Sequence, residues 1–252
     1  MIIPGMVSAT FKKQSTDFVL DVLKEAGLSA VEWSEGGHIA AGDESGARHL
    51  YDKTMDSGIR IAAYGSYYRL GQDDDPAGRF RQSLVCAAAL HAPLMRIWGG
   101  TTASAALSGD ERRRLALEAK EICDIAGEAG IKVALEWHKE TVTDTNESAL
   151  AFLDEVDSDN LYCLWQPTVA LSMEERCAGI DMLEERDRLL NLHVYHWEEG
   201  VRRPFAEGRD EWRTYLSHVD MDRERFGLLE FVMGDTREQL LEDAAVFREL
   251  IA

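Results

Sequence analysis

Glu136 and His138 stand two residues apart at the end of the apolar run 131–138, and a carboxylate beside an imidazole can move protons or hold a cation. The run is short, aliphatic and preceded by Gly130, which reads as a buried strand. Its period-two alternation puts Lys132, Ala134, Glu136 and His138 on one face. Three later apolar runs end in the same way, on Gln166, His193 and Glu230. Buried polar groups are costly unless paired or metal-bound, so four such endings from four strands point to one shared site. In the run 189–196, His193 and Tyr195 share a face and His196 lies opposite with Leu192 and Val194, which favours His193 as the inward residue.

The segments that must position these residues alternate between short apolar runs and longer amphipathic ones, with a repeat of roughly 30 residues. Strands are expected near 2–9, 29–33, 60–67, 94–98, 131–138, 161–166, 189–196 and 226–232, with helices between them. The segment 110–129 is the longest and most charged helix, as suits an outer ring facing water, and a charged, Gly-containing loop spans 198–209. Eight βα units in 252 residues fit an α/β chain folded as one (β/α)8 barrel over 1–252, whose sites lie at the C-terminal ends of the strands. A doubly wound sheet is the competing fold, but Gly5-Met6-Val7-Ser8 is no dinucleotide fingerprint.

Composition narrows the partners. With 46 acidic against 27 basic residues and a net charge of -19, the chain is a poor ligand for nucleic acid. No stretch approaches the ~20 apolar residues of a membrane helix, and Met-Ile-Ile-Pro-Gly lacks the basic flank of a secretion signal, so a cytoplasmic location is expected. Cys86, Cys123, Cys163 and Cys177 form no Cys-x-x-Cys pair and read as buried thiols. Oligomeric state is not legible, although Tyr67-Tyr68 would suit a subunit contact in a homo-oligomer.

The order Glu136, Gln166, His193, Glu230 at the ends of the last four barrel strands resembles the xylose-isomerase-like barrels, the sugar isomerases and epimerases related to tagatose 3-epimerase, inosose dehydratase and isomerase, and hydroxypyruvate isomerase. The likeness spans essentially the whole chain. It is carried by Leu135-Glu136-Trp137-His138, Thr141-Val142-Thr143-Asp144-Thr145, Asn191-Leu192-His193-Val194 and Leu229-Glu230-Phe231. The resemblance implies one divalent ion, manganese, magnesium, cobalt or zinc, held by Glu136, Gln166, His193 and Glu230. This sequence departs from the family at Trp165-Gln166-Pro167, where an aspartate is usual, and Gln166 brings a carbonyl oxygen but no charge.

The resemblance assigns proton transfer next to a substrate carbonyl to Glu136 and Glu230. His138 is expected to hydrogen-bond the substrate, and Glu32, Tyr67, Arg69, Trp98 and Arg203 to line its site. In the competing structural reading, Glu136 and Glu230 only pair with Arg60, Arg96 or Lys132. Asp235 or Thr236 reads as a helix cap, and an acid in the last loop argues against a phosphate, so the expected substrate is an unphosphorylated polyol, keto-sugar or small hydroxy-carbonyl. Three alternatives to an isomerase or epimerase stand beside it. A dehydratase or lyase acting on an inosose-like ketone would begin with the same proton abstraction. A non-catalytic sugar-binding barrel would have a decayed metal site marked by Gln166. The related apurinic-site endonuclease must meet DNA with more histidines, which a charge of -19 and seven histidines oppose.

Overall fold

The computed structural model describes residues 1–252 and forms a closed barrel of eight parallel strands. The barrel strands are β1 (Ile2–Val7), β2 (Ala30–Ser34), β3 (Arg60–Arg69), β4 (Leu94–Trp98), β5 (Lys132–Glu136), β6 (Leu161–Trp165), β7 (Leu189–Val194) and, closing against β1, β10 (Arg225–Leu229). Between β7 and β10, a two-stranded antiparallel ribbon, β8 (Trp197–Glu198) and β9 (Val201–Arg202), occupies the stretch expected to be a loop. The turn between them places Glu199 and Gly200 at positive φ, which reverses the chain tightly enough for the two short strands to pair.

The helices are α1 (Thr16–Glu25), α2 (Glu44–Asp56), α3 (Pro76–Ala89), α4 (Gly109–Glu128), α5 (Asn146–Val156), α6 (Met173–Glu185), α7 (Arg209–Ser217) and α8 (Arg237–Leu250). Their starts are written in the sequence: Ser15, Asp43, Asp75, Ser108, Thr145, Ser172 and Thr236 each accept a hydrogen bond from the first turn. Each such cap stabilises its helix by about 1 kcal/mol and fixes where the preceding loop ends. Thr236, rather than Asp235, is the cap of α8. No helix is long and apolar enough to cross a membrane.

Alternation along the strands separates two cores. Outward residues such as Val31, Trp33, Met95, Ile97, Val133, Leu135, Trp137, Cys163, Trp165, Leu192 and Val194 pack against the helices in the large outer cluster. The four cysteines are free and buried. Inside the barrel the apolar residues are few and mostly small: Ile3, Val7, Ala30, Ala62 and Leu228 in one group, and Ala63, Leu94, Ala134 and Leu164 in another. This filling ends one pleat below the mouth. On six of the eight strands, β2, β4, β5, β6, β7 and β10, the next inward position is polar, so the closed ring gathers Glu32, Arg96, Glu136, Gln166, His193 and Glu230 at its C-terminal end.

Candidate active site

Six polar side chains at the C-terminal mouth, each at most 6% exposed, form a continuous chain of contacts. Gln166 Nε2 donates to Glu136 Oε1 at 3.0 Å, and Glu136 Oε2 lies 3.2 Å from Arg96 Nη1. Arg96 Nε donates to Glu32 Oε1 at 3.2 Å, and Glu32 Oε2 lies 3.1 Å from His193 Nε2. His193 Nδ1 is then 3.2 Å from Glu230 Oε2, a distance not matched by hydrogen-bond alignment, so both atoms keep no hydrogen-bond partner. The three carboxylates thus face two potential cations, the guanidinium and the imidazole.

Space for this arrangement comes from Gly65 on β3. A Cβ there would sit 2.4 Å from Glu32 Oε1 and 2.7 Å from Arg96 Nη2, so any side chain would displace the pair. Arg96 is held further by Nη1 donating to the Ser66 carbonyl at 3.2 Å. Burial alone would favour the neutral forms, but the opposite charges outweigh it. For Glu32, burial works upward, and His193 and Arg96 together hold the carboxyl below its ordinary value. For His193, burial works downward, and Glu230 and Glu32 raise it to about 10, so the imidazole is protonated in this arrangement. Arg96 is pushed up by Glu136, Glu32 and Glu230 against the effect of burial.

Glu136 and His138 are positioned by the turn that follows β5. Thr143 Oγ1 donates to the Glu136 carbonyl at 2.8 Å and accepts from His138 N–H at 3.1 Å, while Thr141 Oγ1 donates to the His138 carbonyl at 2.7 Å. His138 Nδ1 lies 2.6 Å from the Lys139 carbonyl oxygen and must be the donor there, because a carbonyl only accepts. In the neutral ring this leaves Nε2 as an acceptor.

A cavity of about 470 Å³ opens above the polar chain, lined by Glu136, Glu230, His138, Tyr67, Trp98, Arg96, Arg202, Phe231 and Asp235, and by residues 9–14. A smaller one of about 150 Å³ adjoins it at His138 and Phe231 and is lined by Gln166, Tyr195 and Trp197 among others.

The structure therefore brings together most of the residues singled out from the sequence. Glu136, Glu230, His138, Tyr67 and Trp98 line the main cavity, and Gln166 the smaller one. His193 and Glu32 are fully buried, and Glu32 serves as the bridge between His193 and Arg96 rather than as part of the cavity wall. Arg69 lies outside the lining, stacked over the Trp98 ring at 4.1 Å. Arg203 pairs with Glu198 on the ribbon, and it is the adjacent Arg202 that reaches the cavity. Of the cations offered for a structural pairing, Arg96 does meet Glu136, whereas Arg60 pairs with Glu224 and Lys132 stacks on Tyr162. His196 stays out of the cluster, its Nδ1 3.8 Å from Glu211.

Sequence reasoning missed Lys12 and Lys13, which line the cavity from the turn after β1. Their signal was two adjacent lysines just past a strand end in an acid-rich chain.

Donor chemistry tests whether a divalent ion fits. Gln166 Oε1, His193 Nδ1 and Glu230 Oε2 are all buried without hydrogen-bond partners, and two oxygens and an imidazole nitrogen suit a hard or borderline ion, which would take His193 as the neutral ring and so displace its proton. Glu136, the fourth residue of the set, divides its carboxylate between Gln166 and Arg96. No three His, Cys, Asp or Glu side chains close on one point as they stand. The residues thus fit the group through their unpartnered atoms, with Arg96 as the competitor for Glu136.

Among solved structures, the chain is similar to the probable 3-DHS dehydratase AsbF of Bacillus anthracis at 19% identity, covering 98% of this chain and 99% of that one with a TM-score of 0.81. It is also similar to an L-ribulose 3-epimerase at 15% identity, 100% and 94% coverage and a TM-score of 0.76. A third likeness is to the IOLI protein with a bound zinc atom, at 14% identity, 99% and 98% coverage and a TM-score of 0.75. At these identities the likeness shows the fold. Comparison with curated protein sequences gives no match. Residues 20–250 match the family model described as xylose isomerase-like TIM barrel, and with that match and the closed eight-stranded ring the chain belongs to this family.

Proposed function

We propose that the protein is an isomerase or epimerase that moves a proton next to the carbonyl of a small, unphosphorylated keto-sugar, polyol-ketone or hydroxy-carbonyl compound. The observation that carries this reading is the placement of two carboxylates, Glu136 and Glu230, in the wall of one cavity together with a cationic Arg96. The likeness in fold to an L-ribulose 3-epimerase and to a probable dehydratase supports it.

In this reading one carboxylate takes the carbon-bound proton and the other group returns it. Glu136 is tied by Gln166 and Arg96, whereas Glu230 accepts no aligned hydrogen bond at Oε2 and is the freer of the two to receive the proton. The negative charge left on the substrate oxygen is met by Arg96 in the cavity wall. His138 Nε2 accepts from a substrate hydroxyl. Tyr67 and Trp98, 5.4 Å apart between ring centres, form the wall for the carbon skeleton. Glu136, Gln166, His193 and Glu230 would hold a divalent ion, which when bound polarises the substrate carbonyl and hydroxyl oxygens.

If a hydroxyl next to the abstracted carbon leaves as water, the same first step becomes a dehydration. The similarity to a probable dehydratase supports this as the second reading. The test is a screen of ketoses, inososes and hydroxypyruvate, with manganese, magnesium, cobalt or zinc added, for uptake of solvent deuterium at carbon. Exchange with return of an isomer supports isomerisation, and exchange with loss of water supports dehydration. Binding of a sugar without exchange at any carbon would leave only a sugar-binding barrel.

A further inference from the structure

We propose that the substrate carries a carboxylate and that Lys12 and Lys13 are the residues that select it. This inference rests on the functional reading above and narrows its substrate class. Both lysines line the main cavity, from the turn formed by Ser8–Phe11 and the residues just after it. The turn is fixed in place: Ser8 Oγ accepts from Ser34 N–H at 2.9 Å, Phe11 packs edge-on against Phe18 at 5.3 Å, and Gln14 N–H donates to the Phe11 carbonyl at 2.8 Å. Gly37 lets the turn lie close, since a Cβ there would stand 3.1 Å from Lys12 Cβ.

What sets these lysines apart is that neither makes an ion pair. The other rim cation, Arg202, is neutralised by Asp235 Oδ1 at 2.7 Å and lies over the Phe231 ring at 5.1 Å. Arg96, deeper in, is shared between Glu32 and Glu136. In a chain with 19 more acidic than basic charges, two adjacent lysines in the cavity wall run against the overall potential. A neutral sugar offers them hydroxyl acceptors but no counter-charge, while an anionic group gives each a hydrogen bond strengthened by opposite charge. The flexible lysine stem suits a partner delivered with the ligand.

A phosphate is the other anion to weigh. Barrels of this architecture hold phosphate in the loops after the last two strands, and here that side of the cavity presents Asp235. The unpaired cations lie instead after β1, which favours a terminal carboxylate on the carbon chain.

The proposal is read by calorimetry with two matched pairs, hydroxypyruvate against dihydroxyacetone and 5-keto-D-gluconate against L-sorbose. Each acid replaces a terminal hydroxymethyl group by a carboxylate. D-fructose 6-phosphate supplies the phosphate arm. The wild type should bind at least one acid about tenfold or more tightly than its neutral counterpart, and the Lys12→Gln/Lys13→Gln protein should lose that margin while its affinity for the neutral compound stays the same. Both positions are exposed, so circular dichroism should show the variant folded as the wild type. Absence of any acid preference, tighter binding of the phosphate, or a margin that survives the double substitution would overturn the proposal. Because affinities are read without turnover, failure of deuterium exchange would count against the catalytic reading alone.

Discussion

His193 Nε2 lies 3.1 Å from Glu32 Oε2, with both side chains fully buried. Glu32 also accepts from Arg96, so one carboxylate compensates two cations, the fully buried His193 and the Arg96 that lines the cavity. Removing a single partner of a buried charge network strands the others, at a cost of about 3–5 kcal/mol. Glu32→Gln keeps the volume and removes the charge, and urea unfolding should show a loss of that size. A loss below about 1 kcal/mol would mean that Arg96 and His193 find compensation elsewhere.

Gly65→Ala attacks the same pair from outside. Its new Cβ would lie 2.4 Å from Glu32 Oε1, and the contacted atoms are charged and buried, so they cannot swing into solvent. The overpacking should cost about 1–3 kcal/mol by thermal or urea unfolding, and turnover should fall in parallel because Arg96 moves relative to Glu136. Unchanged stability and activity would show that the mouth has slack absent from this structure.

These two positions show where the sequence stopped being informative. Period-two alternation was enough to find Glu136, Gln166 and His193, because each follows directly from which face of its own strand is apolar. His138 sits past β5, where the hydrogen bonds of Thr141 and Thr143, not strand pleat, set its direction, and Glu230, like Gln166, lies one residue past its strand. The pairing of Glu32 with His193 joins residues 161 apart in the chain, and the partner of each charge depends on how the ring closes. The ribbon β8–β9 was hidden for another reason: strands of two residues carry no readable period. That is why Arg203 was expected in the cavity and Arg202 is found there.

Gln166→Glu restores a negative charge at the position where the family usually has aspartate. In the metal-free protein it removes the donor to Glu136 Oε1 and to the Trp137 carbonyl, so thermal stability should drop. With Mn²⁺ present the added charge should tighten binding by about tenfold or more, read by calorimetry, and raise the melting temperature as ion is added. Equal Mn²⁺ affinity in the two proteins would place Gln166 outside the ligand set.

Asp243 gives a pH prediction away from the mouth. Burial raises its carboxyl above the ordinary value, against hydrogen bonds from the Phe205 N–H and Gln239 Nε2. A carboxyl raised by folding contributes stability that is complete below its unfolded value of about 3.9 and is lost as pH rises through the folded value. Asp243→Asn keeps an acceptor oxygen for both donors and removes the ionisation. Its melting temperature should exceed that of the wild type at pH 7, and the difference should shrink as the pH approaches 4. A variant less stable than the wild type at pH 7 would show that the two hydrogen bonds require the charge.

The central claim is that Glu230 and Glu136 move a proton at carbon in the cavity they share. The most direct measurement is solvent deuterium uptake, followed by NMR, into whichever screened keto compound the wild type binds, comparing wild type with Glu230→Gln and Glu136→Gln under the same metal supplement. The account predicts exchange in the wild type and a fall of about a hundredfold or more in each variant, with binding still measurable. Exchange that continues at the wild-type rate in both variants would contradict it.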